Sequence, residues 1–569
     1  MKKILQALPI IVLLISVGFF IGLTDINKEE KSFQSFNSSV KTGTLISNNQ
    51  SNISFKNVSL FGVAANRNNA NDFAKKSVSL VLDRNALRNI LVSREKSITF
   101  TIPTGDALPM ELELVEQKVF SDDFTSSGIT GNNETPFNYI KGISYTGIIK
   151  GKEHSIASIS IFNEFVMGVI SDETGNYVLG SVKENNNYTD NYIFYNDNDL
   201  KVLNNFKCGV EDKEDRFARH SVNNNSVKGN QSEYDVVRAP VRIYFEADYR
   251  MYQDNGSNPT TLINFIQGMF ASVATIYSNE SIPMEISQIR YWTQSDPYVG
   301  MTETPDILTA FGNNRKDNFS GSLAQLLSTR PEIGGGIAWI AVLCIPYQTN
   351  DGSGRYSFSG IDPNYNNFPT YSWTVNVVAH ELGHNFGSYH THSCHWPTNG
   401  FTTTGAIDSC YTAEGFCFSS TRSNNNGTVM SYCHLNGAIR LSLGFGPMPG
   451  DTIRAWYNRA SCFTGITNSS ELPVVYDLKQ NFPNPFNPST TIRFLVPEDA
   501  VVSLRVYDVS GKEVANLINN SNYMPGFYDV NFNSSVFNLP SGPYFYKMTA
   551  APLNGGNAFT QVKKMILIK

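Results

Sequence analysis

Residues 373–395 read WTVNVVAHELGHNFGSYHTHSCH and hold five of the chain's eight histidines. Three of them stand in the pattern His-Glu-x-x-His-x-x-Gly-x-x-His, as His380, Glu381, His384, Gly387 and His390. On a helix, His380 and His384 leave the same face one turn apart. Two neutral imidazoles held in this way suit a tetrahedral zinc ion, and a catalytic zinc takes a third protein ligand and keeps one position open. Gly387 can adopt the left-handed conformation that ends a helix, which turns His390 back as the third ligand. Glu381, beside the first ligand, is placed to take a proton from metal-bound water. A structural site would instead be closed by a fourth ligand, for which Cys394, His392 and His395 are at hand.

At 569 residues the chain predicts two to four domains. A net charge of −6 over that length argues against nucleic acid as a partner. Lys2 and Lys3 precede an apolar run from Ile4 to Leu23, the shape of a secretory signal over residues 1–23. An uncleaved membrane anchor is the alternative for that run. The chain has seven cysteines, and in an exported protein an odd count leaves one unpaired. Six fall between Cys344 and Cys462, around the histidines, and can form three disulfides; Cys208 stands alone upstream.

Residues from about 30 to 75 are polar with little periodicity. From Ser77 to Tyr195, β-branched and alternating runs such as SVSLVLD, SITFTIP and MELELVE predict a β-rich domain. Cys208 then opens the stretch CGVEDKEDRFARH. A thiolate is a good zinc ligand, so Cys208 in the open position would displace water and leave the enzyme latent. The basic residues Lys213, Arg216, Arg219 and Lys228 that follow are targets for a processing protease. From Val236 to about Cys462 strands and helices alternate. NPTTLINFIQGMFASVATIYSNES predicts a long amphipathic helix, PMEISQIRYWT a strand, TPDILTAFGNN and GSLAQLLSTR short helices, and Gly334–Cys344 a buried or edge strand. After Ser469, short strands with Gly and Pro turns predict a small β-sandwich.

Downstream of the histidines, NNNGTVMSYCH places Met430 in a tight turn with Tyr432 two residues on. With the eleven-residue motif, this turn resembles the metzincin metalloproteases, and the strand GGIAWIAVLC and the cysteine placement are most similar to the reprolysin/ADAM-type peptidases. The resemblance implies a mixed twisted α/β sheet with a long zinc-binding helix and a methionine floor at Met430. It also implies an extended protein or peptide substrate paired antiparallel with the edge strand through Gly336, Ile337 and Ala338, and Cys344 bonded to Cys462. Cys394–Cys433 and Cys410–Cys417 are the simplest remaining pairs, among 15 possible connectivities. FKCGVED is similar to the cysteine-switch segment of metalloprotease propeptides. Thr391 departs from the reprolysin pattern, which has Asp after the third histidine. Tyr432 matches the astacin and serralysin arrangement instead, which implies a tyrosine that ligates zinc at rest or stabilises the oxyanion; packing is the other reading. NFPNPFNPST, YDVSGKEV and GPYFYKM with KKMILIK resemble the sorting domain of the type IX secretion system, which implies passage through the periplasm and the outer-membrane machinery of a Gram-negative bacterium.

The expected organisation is a signal peptide (1–23), a β-rich propeptide (24–234), a metzincin catalytic domain (235–468) and a β-sandwich sorting domain (470–569). The expected activity is that of a secreted, monomeric, zinc-dependent endopeptidase made as a latent precursor. Calcium is a further possible ligand, though no Asp-x-Asp loop demands it. The rival is a surface adhesin that keeps a metalloprotease fold for binding.

Overall fold

The computed structural model describes residues 54–65, 73–105, 108–185, 187–201, 208–210, 239–361, 368–398, 403–415, 417, 426–435, 438–460, 462, 475–481, 484–523, 526–553 and 555–568. The expected signal segment and the basic stretch after Cys208 lie outside them. Among the described residues the helices are α1 (Arg84–Ser93), α2 (Tyr249–Asp254), α3 (Pro259–Asn279), α4 (Thr304–Arg315), α5 (Tyr371–Asn385) and α6 (Pro447–Arg459). No described helix is long and apolar enough to cross a membrane.

The upstream part is a ten-stranded sheet that starts at Lys56–Ser59 and closes its strand set with Asn187–Asn196. Two strands, Lys56–Ser59 and Phe61–Val63, lie where the sequence is polar and gives no period. They are held by pairing with Ser97–Ile102 and Val78–Leu82, and the second also by Phe61, which is buried against Phe100 and Tyr192. The middle strands are covered on both faces. In Val166–Asp172, Val166 and Ile170 join one core with α1, while Met167 and Val169 join another, as the two-residue period of a strand requires. α1 is started by Asp83, whose carboxylate accepts from the amides of Asn85 and Ala86.

The second core is shared. It unites Phe120, Tyr139, Phe165, Met167 and Ile193 from upstream with Phe265, Met269, Tyr277, Tyr371 and Val375 of the histidine-bearing part. Every residue of α3 from Leu262 to Tyr277 is buried, so the helix expected to be amphipathic is covered all round, with Asn258 capping it and Pro259 at its first position. The sheet beneath it has seven strands, in the order Gly335–Ala338, Tyr356–Gly360, Leu323–Ser328, Val241–Ala247, Met284–Trp292, Phe120–Thr130, Asn133–Pro136. The last two strands come from the upstream segment, so the sheet is built from chain on both sides of residue 235.

Two expectations are corrected. LAQLLS is a strand, not a helix: Leu323–Ser328 is buried along its whole length and pairs in parallel with strands on both sides. A short apolar run inside a parallel sheet overrides the helix propensity of Leu and Ala. The Gly334–Cys344 strand is shorter, ending at Ala338. Ala341 takes a positive φ of 59°, and the amides of Ala341 and Val342 turn to meet the carbonyls of His384 and Asn385 at the end of α5, satisfying acceptors that a helix end leaves open.

After residue 475, a three-stranded and a four-stranded antiparallel sheet share one core that includes Ile492, Phe494, Val530, Tyr546 and Met548. Ala500–Tyr507 and Glu513–Tyr523 form a hairpin around YDVSGKEV.

Within the seven-stranded sheet, Glu246 is fully buried and accepts from Tyr244 at 2.6 Å, Trp292 at 2.7 Å, Tyr298 at 2.9 Å and Arg315 at 2.9 Å. Burial raises its pKa, but Arg315 and these donors outweigh burial and hold it below the usual range. A carboxylate whose folded pKa is depressed contributes stability above its unfolded pKa and loses it as pH falls through the folded value. Arg315→Leu is therefore expected to cost about 3–5 kcal/mol at neutral pH by leaving a buried charge unpaired. In denaturant titrations at several pH values, the gap to the parent protein should narrow below about pH 4.5.

Candidate metal centre

The helix α5 ends where its sequence says it must. Gly387 has φ +87°, and a Cβ there would lie 2.2 Å from Trp456 Nε1, so both the turn and the close approach demand glycine. Beyond the turn, Thr391 donates its amide to the Met430 carbonyl at 3.0 Å and its hydroxyl to the same oxygen at 3.3 Å. That is the structural answer to the unusual residue after the third histidine: Thr391 ties the returning chain to the methionine turn. Met430 is fully buried and packs on Gly383 of α5, where a Cβ would fall 2.6 Å from its Sδ.

His380, His384 and His390 are fully buried. Their Nδ1 atoms lie 2.8 Å from the Val429 carbonyl, 2.7 Å from the Ser388 carbonyl and 2.8 Å from Glu414 Oε1. A carbonyl only accepts, so Nδ1 of His380 and His384 carries the proton and Nε2 presents a lone pair. The three Nε2 atoms converge at 3.2 Å from one another. Nitrogens at tetrahedral corners around zinc, at Zn–N of about 2.0–2.1 Å, would be about 3.3 Å apart. Burial first, and then the neighbouring imidazoles, push His380 well below its ordinary pKa and His384 down to about 3. Both rings are therefore neutral at neutral pH, the form that can ligate a metal.

Cys208 completes the cluster. It is buried, and it is the free cysteine among the described residues. Its Sγ lies 3.6 Å from His384 Nε2 and 3.6 Å from Glu381 Oε2. With Zn–S of about 2.3 Å, a tetrahedral thiolate would sit about 3.6 Å from each imidazole nitrogen. Cys208, His380, His384 and His390 bring one donor atom each to within 4.8 Å of the others. Burial and the nearby Glu381 charge raise the thiol's pKa; a cation at the cluster would reverse that sign, since a coordinating thiol is deprotonated. The donor set, its spacing and its tautomers fit zinc.

Glu381 is fully buried, its pKa raised by that burial. Its Oε1 meets no hydrogen-bond partner among the described residues. The strand above passes so close that a Cβ on Gly336 would fall 2.4 Å from Glu381 Oε1. Gly336, Ile337 and Ala338 do form the sheet's edge strand, paired antiparallel with Ser359, Phe358 and Ser357. On its other side Cys208 bridges Gly336 in parallel, and the Gly209 amide donates to the Gly336 carbonyl at 2.7 Å. The Tyr432 hydroxyl is also engaged with this segment, accepting from the Cys208 amide at 2.8 Å and lying 3.3 Å from its carbonyl.

The sequence did not reveal Glu414. It lies 2.8 and 3.0 Å from His390 Nδ1 and 3.2 Å from His392 Nε2. Burial would raise its pKa, but the two imidazoles outweigh burial and hold it well below the usual carboxylate range. No motif marks it, because it reaches the site from a loop far along the chain. The disulfides that secure this loop correct the expected pairing. Cys344–Cys462 is present, but Cys394 bonds Cys417 and Cys410 bonds Cys433. Space decides against nearness in sequence: the Cys394 amide donates to the Glu414 carbonyl, which sets it beside Cys417, while Cys410 lies against the methionine turn. Calcium gains no support, since none of the metal-ligand clusters among the described residues is an oxygen-rich cage.

Residues 237–440 match the family model described as metallo-peptidase family M12, and residues 480–568 match that of a secretion system C-terminal sorting domain. Over these two segments the chain matches an M12 metallo-peptidase followed by a secretion sorting domain. That domain marks it for export to the cell surface or the medium in Gram-negative bacteria. Among solved structures the chain is similar to OgpA from Akkermansia muciniphila, with 11% identity over 59% of this chain and 95% of that one and a TM-score of 0.19. It is likewise similar to a catalytically inactive OgpA in complex with an O-glycopeptide substrate, with 10% identity, the same coverage and a TM-score of 0.20. A chain from a chaperone–substrate complex matches at 12% identity over 38% of this chain and 35% of its own, with a TM-score of 0.19. Overlaps this slight transfer neither fold nor substrate.

A carboxylate that orients a ligating histidine is commonly worth about 10- to 100-fold in metal affinity. Glu414→Ala is expected to weaken zinc retention by that factor, measured by competition with a chromophoric chelator.

Proposed function

We propose that this exported peptidase is a zinc-dependent endopeptidase made as a latent precursor, with Cys208 as the fourth metal ligand. The observation that carries the reading is the clustering of three imidazole nitrogens 3.2 Å apart with the Cys208 sulfur 3.6 Å from His384, distances close to the edges of a zinc tetrahedron. The proposed parts are a signal peptide (1–23), an upstream β segment with the switch cysteine (24–234), a metzincin catalytic part with a zinc-binding α5 (235–468) and a β-sandwich sorting domain (470–569).

Zinc, when bound, supplies a Lewis acid that lowers the pKa of a coordinated water toward about 7. His380, His384 and His390 hold it, and Glu414 fixes the ring of His390. Departure of Cys208 would remove the thiol from beside the three histidines and release Glu381 from it. A carboxylate with a raised pKa is a competent base near neutrality, so Glu381 takes the proton of the attacking water and returns it to the leaving amine. The same departure frees the Tyr432 hydroxyl to donate to the developing oxyanion and the edge of Gly336–Ala338 to pair with an extended substrate by strand addition.

Glu381→Ala should abolish hydrolysis of a denatured protein substrate, by at least about 100-fold, without loss of bound zinc by atomic absorption. A variant that still hydrolyses would sink the mechanism. Hydrolysis that a chelator abolishes and zinc restores also excludes the adhesin reading. Cys208→Ala in the uncut precursor should raise activity by about 10-fold or more; a precursor no more active than its parent would remove the latency argument.

A further inference from the structure

We infer that the upstream β segment, residues 73–201, is a permanent half of the active peptidase and stays bound after the chain is cut downstream of Cys208. The inference rests on the latent-peptidase reading for what the cut achieves, but the association itself stands on the fold.

The upstream segment makes two contacts of different kinds. The first is small. Cys208 and Gly209 touch the metal centre through one sulfur and through main-chain hydrogen bonds to Tyr432 and Gly336. The second is a shared interior. Phe120–Thr130 extends the catalytic sheet in parallel with Met284–Trp292, with Gln288 opposite Thr125 and Trp292 opposite Ile129, and the Thr293 amide donates to the Ile129 carbonyl at 2.9 Å. Asn133–Pro136 adds a further strand. Thus the sheet's edge remote from the metal is made of upstream chain.

α3 is enclosed between the two parts. On its upstream face the Tyr139 hydroxyl lies 2.6 Å from Asn264 Oδ1 and 2.7 Å from Gln267 Oε1, and Asn264 donates to Glu164 at 2.6 Å. Gln267 also reaches Ser144 at 3.1 Å, and Thr275 reaches Thr146 at 3.0 Å. Around these, Phe165, Met167 and Ile193 sit in one cluster with Phe265, Met269 and Tyr371. Removing the upstream part would expose an apolar helix face and orphan its buried amides, each a costly change. An interface resembling a domain core cut in half is the mark of obligate association. No disulfide joins the two parts among the described residues, since all three bridges lie between Cys344 and Cys462.

The upstream part also reaches the loop just after the methionine turn. Asn176 donates to the Ile439 carbonyl at 2.7 Å and accepts from the Leu441 amide at 2.9 Å, and the Ser442 amide donates to Ser171 at 2.9 Å. The retained segment therefore braces the wall beside the metal, whereas the Cys208 tail is free to leave once the chain behind it is cut.

The test uses the full chain with a site-specific protease sequence substituted between residues 211 and 238. After cutting, both fragments should co-elute at the precursor's volume in native gel filtration and separate only in denaturant. Amides of Met284–Trp292 should keep their exchange protection to within about twofold. An upstream fragment that elutes alone, beside a monodisperse remainder with unchanged circular dichroism, would overturn the inference. The two readings fail separately. Co-elution without chelator-sensitive hydrolysis upholds the association and defeats the latent peptidase; separation with hydrolysis does the opposite.

Discussion

Three imidazole lone pairs aimed at one point repel one another, and the surrounding structure exists in large part to hold them there. Each ring is fixed from behind by a different stretch of chain: His380 by Val429, His384 by Ser388, His390 by Glu414. The methionine turn, the Gly387 corner and the disulfide-bound loop are thus parts of one device, which sets tautomer and aim before any ion arrives. Removing one acceptor loosens a ring, and a ring that turns loses its lone pair for coordination. The interior that supports this device is deep because the upstream sheet, α3 and α5 close one shared core with the catalytic sheet.

The convergence of His380, His384 and His390, with Glu381 beside them, was legible because the geometry is local. Within eleven residues one helix turn and one glycine decide the geometry, and φ at Gly387 is what that pattern requires. Cys208 stood out for another reason: it is the odd cysteine, far from the other six, and the structure sets it beside the three histidines. Long-range pairing was not legible. Nothing in LAQLLS distinguishes a buried parallel strand from a helix, because a fully buried strand loses its two-residue period. Glu414 and the choice between cysteine partners depend on which loops meet, and spacing along the chain does not encode that. The upstream strands Phe120–Thr130 and Asn133–Pro136 joined a sheet whose other members begin more than a hundred residues later.

Charge is handled differently in the two halves of the catalytic part. Beside the sheet, Glu246 is neutralised in full by Arg315 and hydroxyl and indole donors, an arrangement that resists change. At the centre, Glu381 is buried with one oxygen uncommitted and its pKa raised. The first is a fixed anion that anchors strands; the second lacks such donors, which is what the proposed role as a proton acceptor requires.

The Cys410–Cys433 bridge carries a consequence for where this protein can mature. It joins the loop that bears Glu414 to the turn that bears Met430, so the third histidine's support is stitched to the floor of the site. Such bonds persist outside reducing cytosol. In a reducing cytosol this loop and this turn would lack their covalent tie, so the compartment the chain reaches decides when the surroundings of the three histidines are fastened.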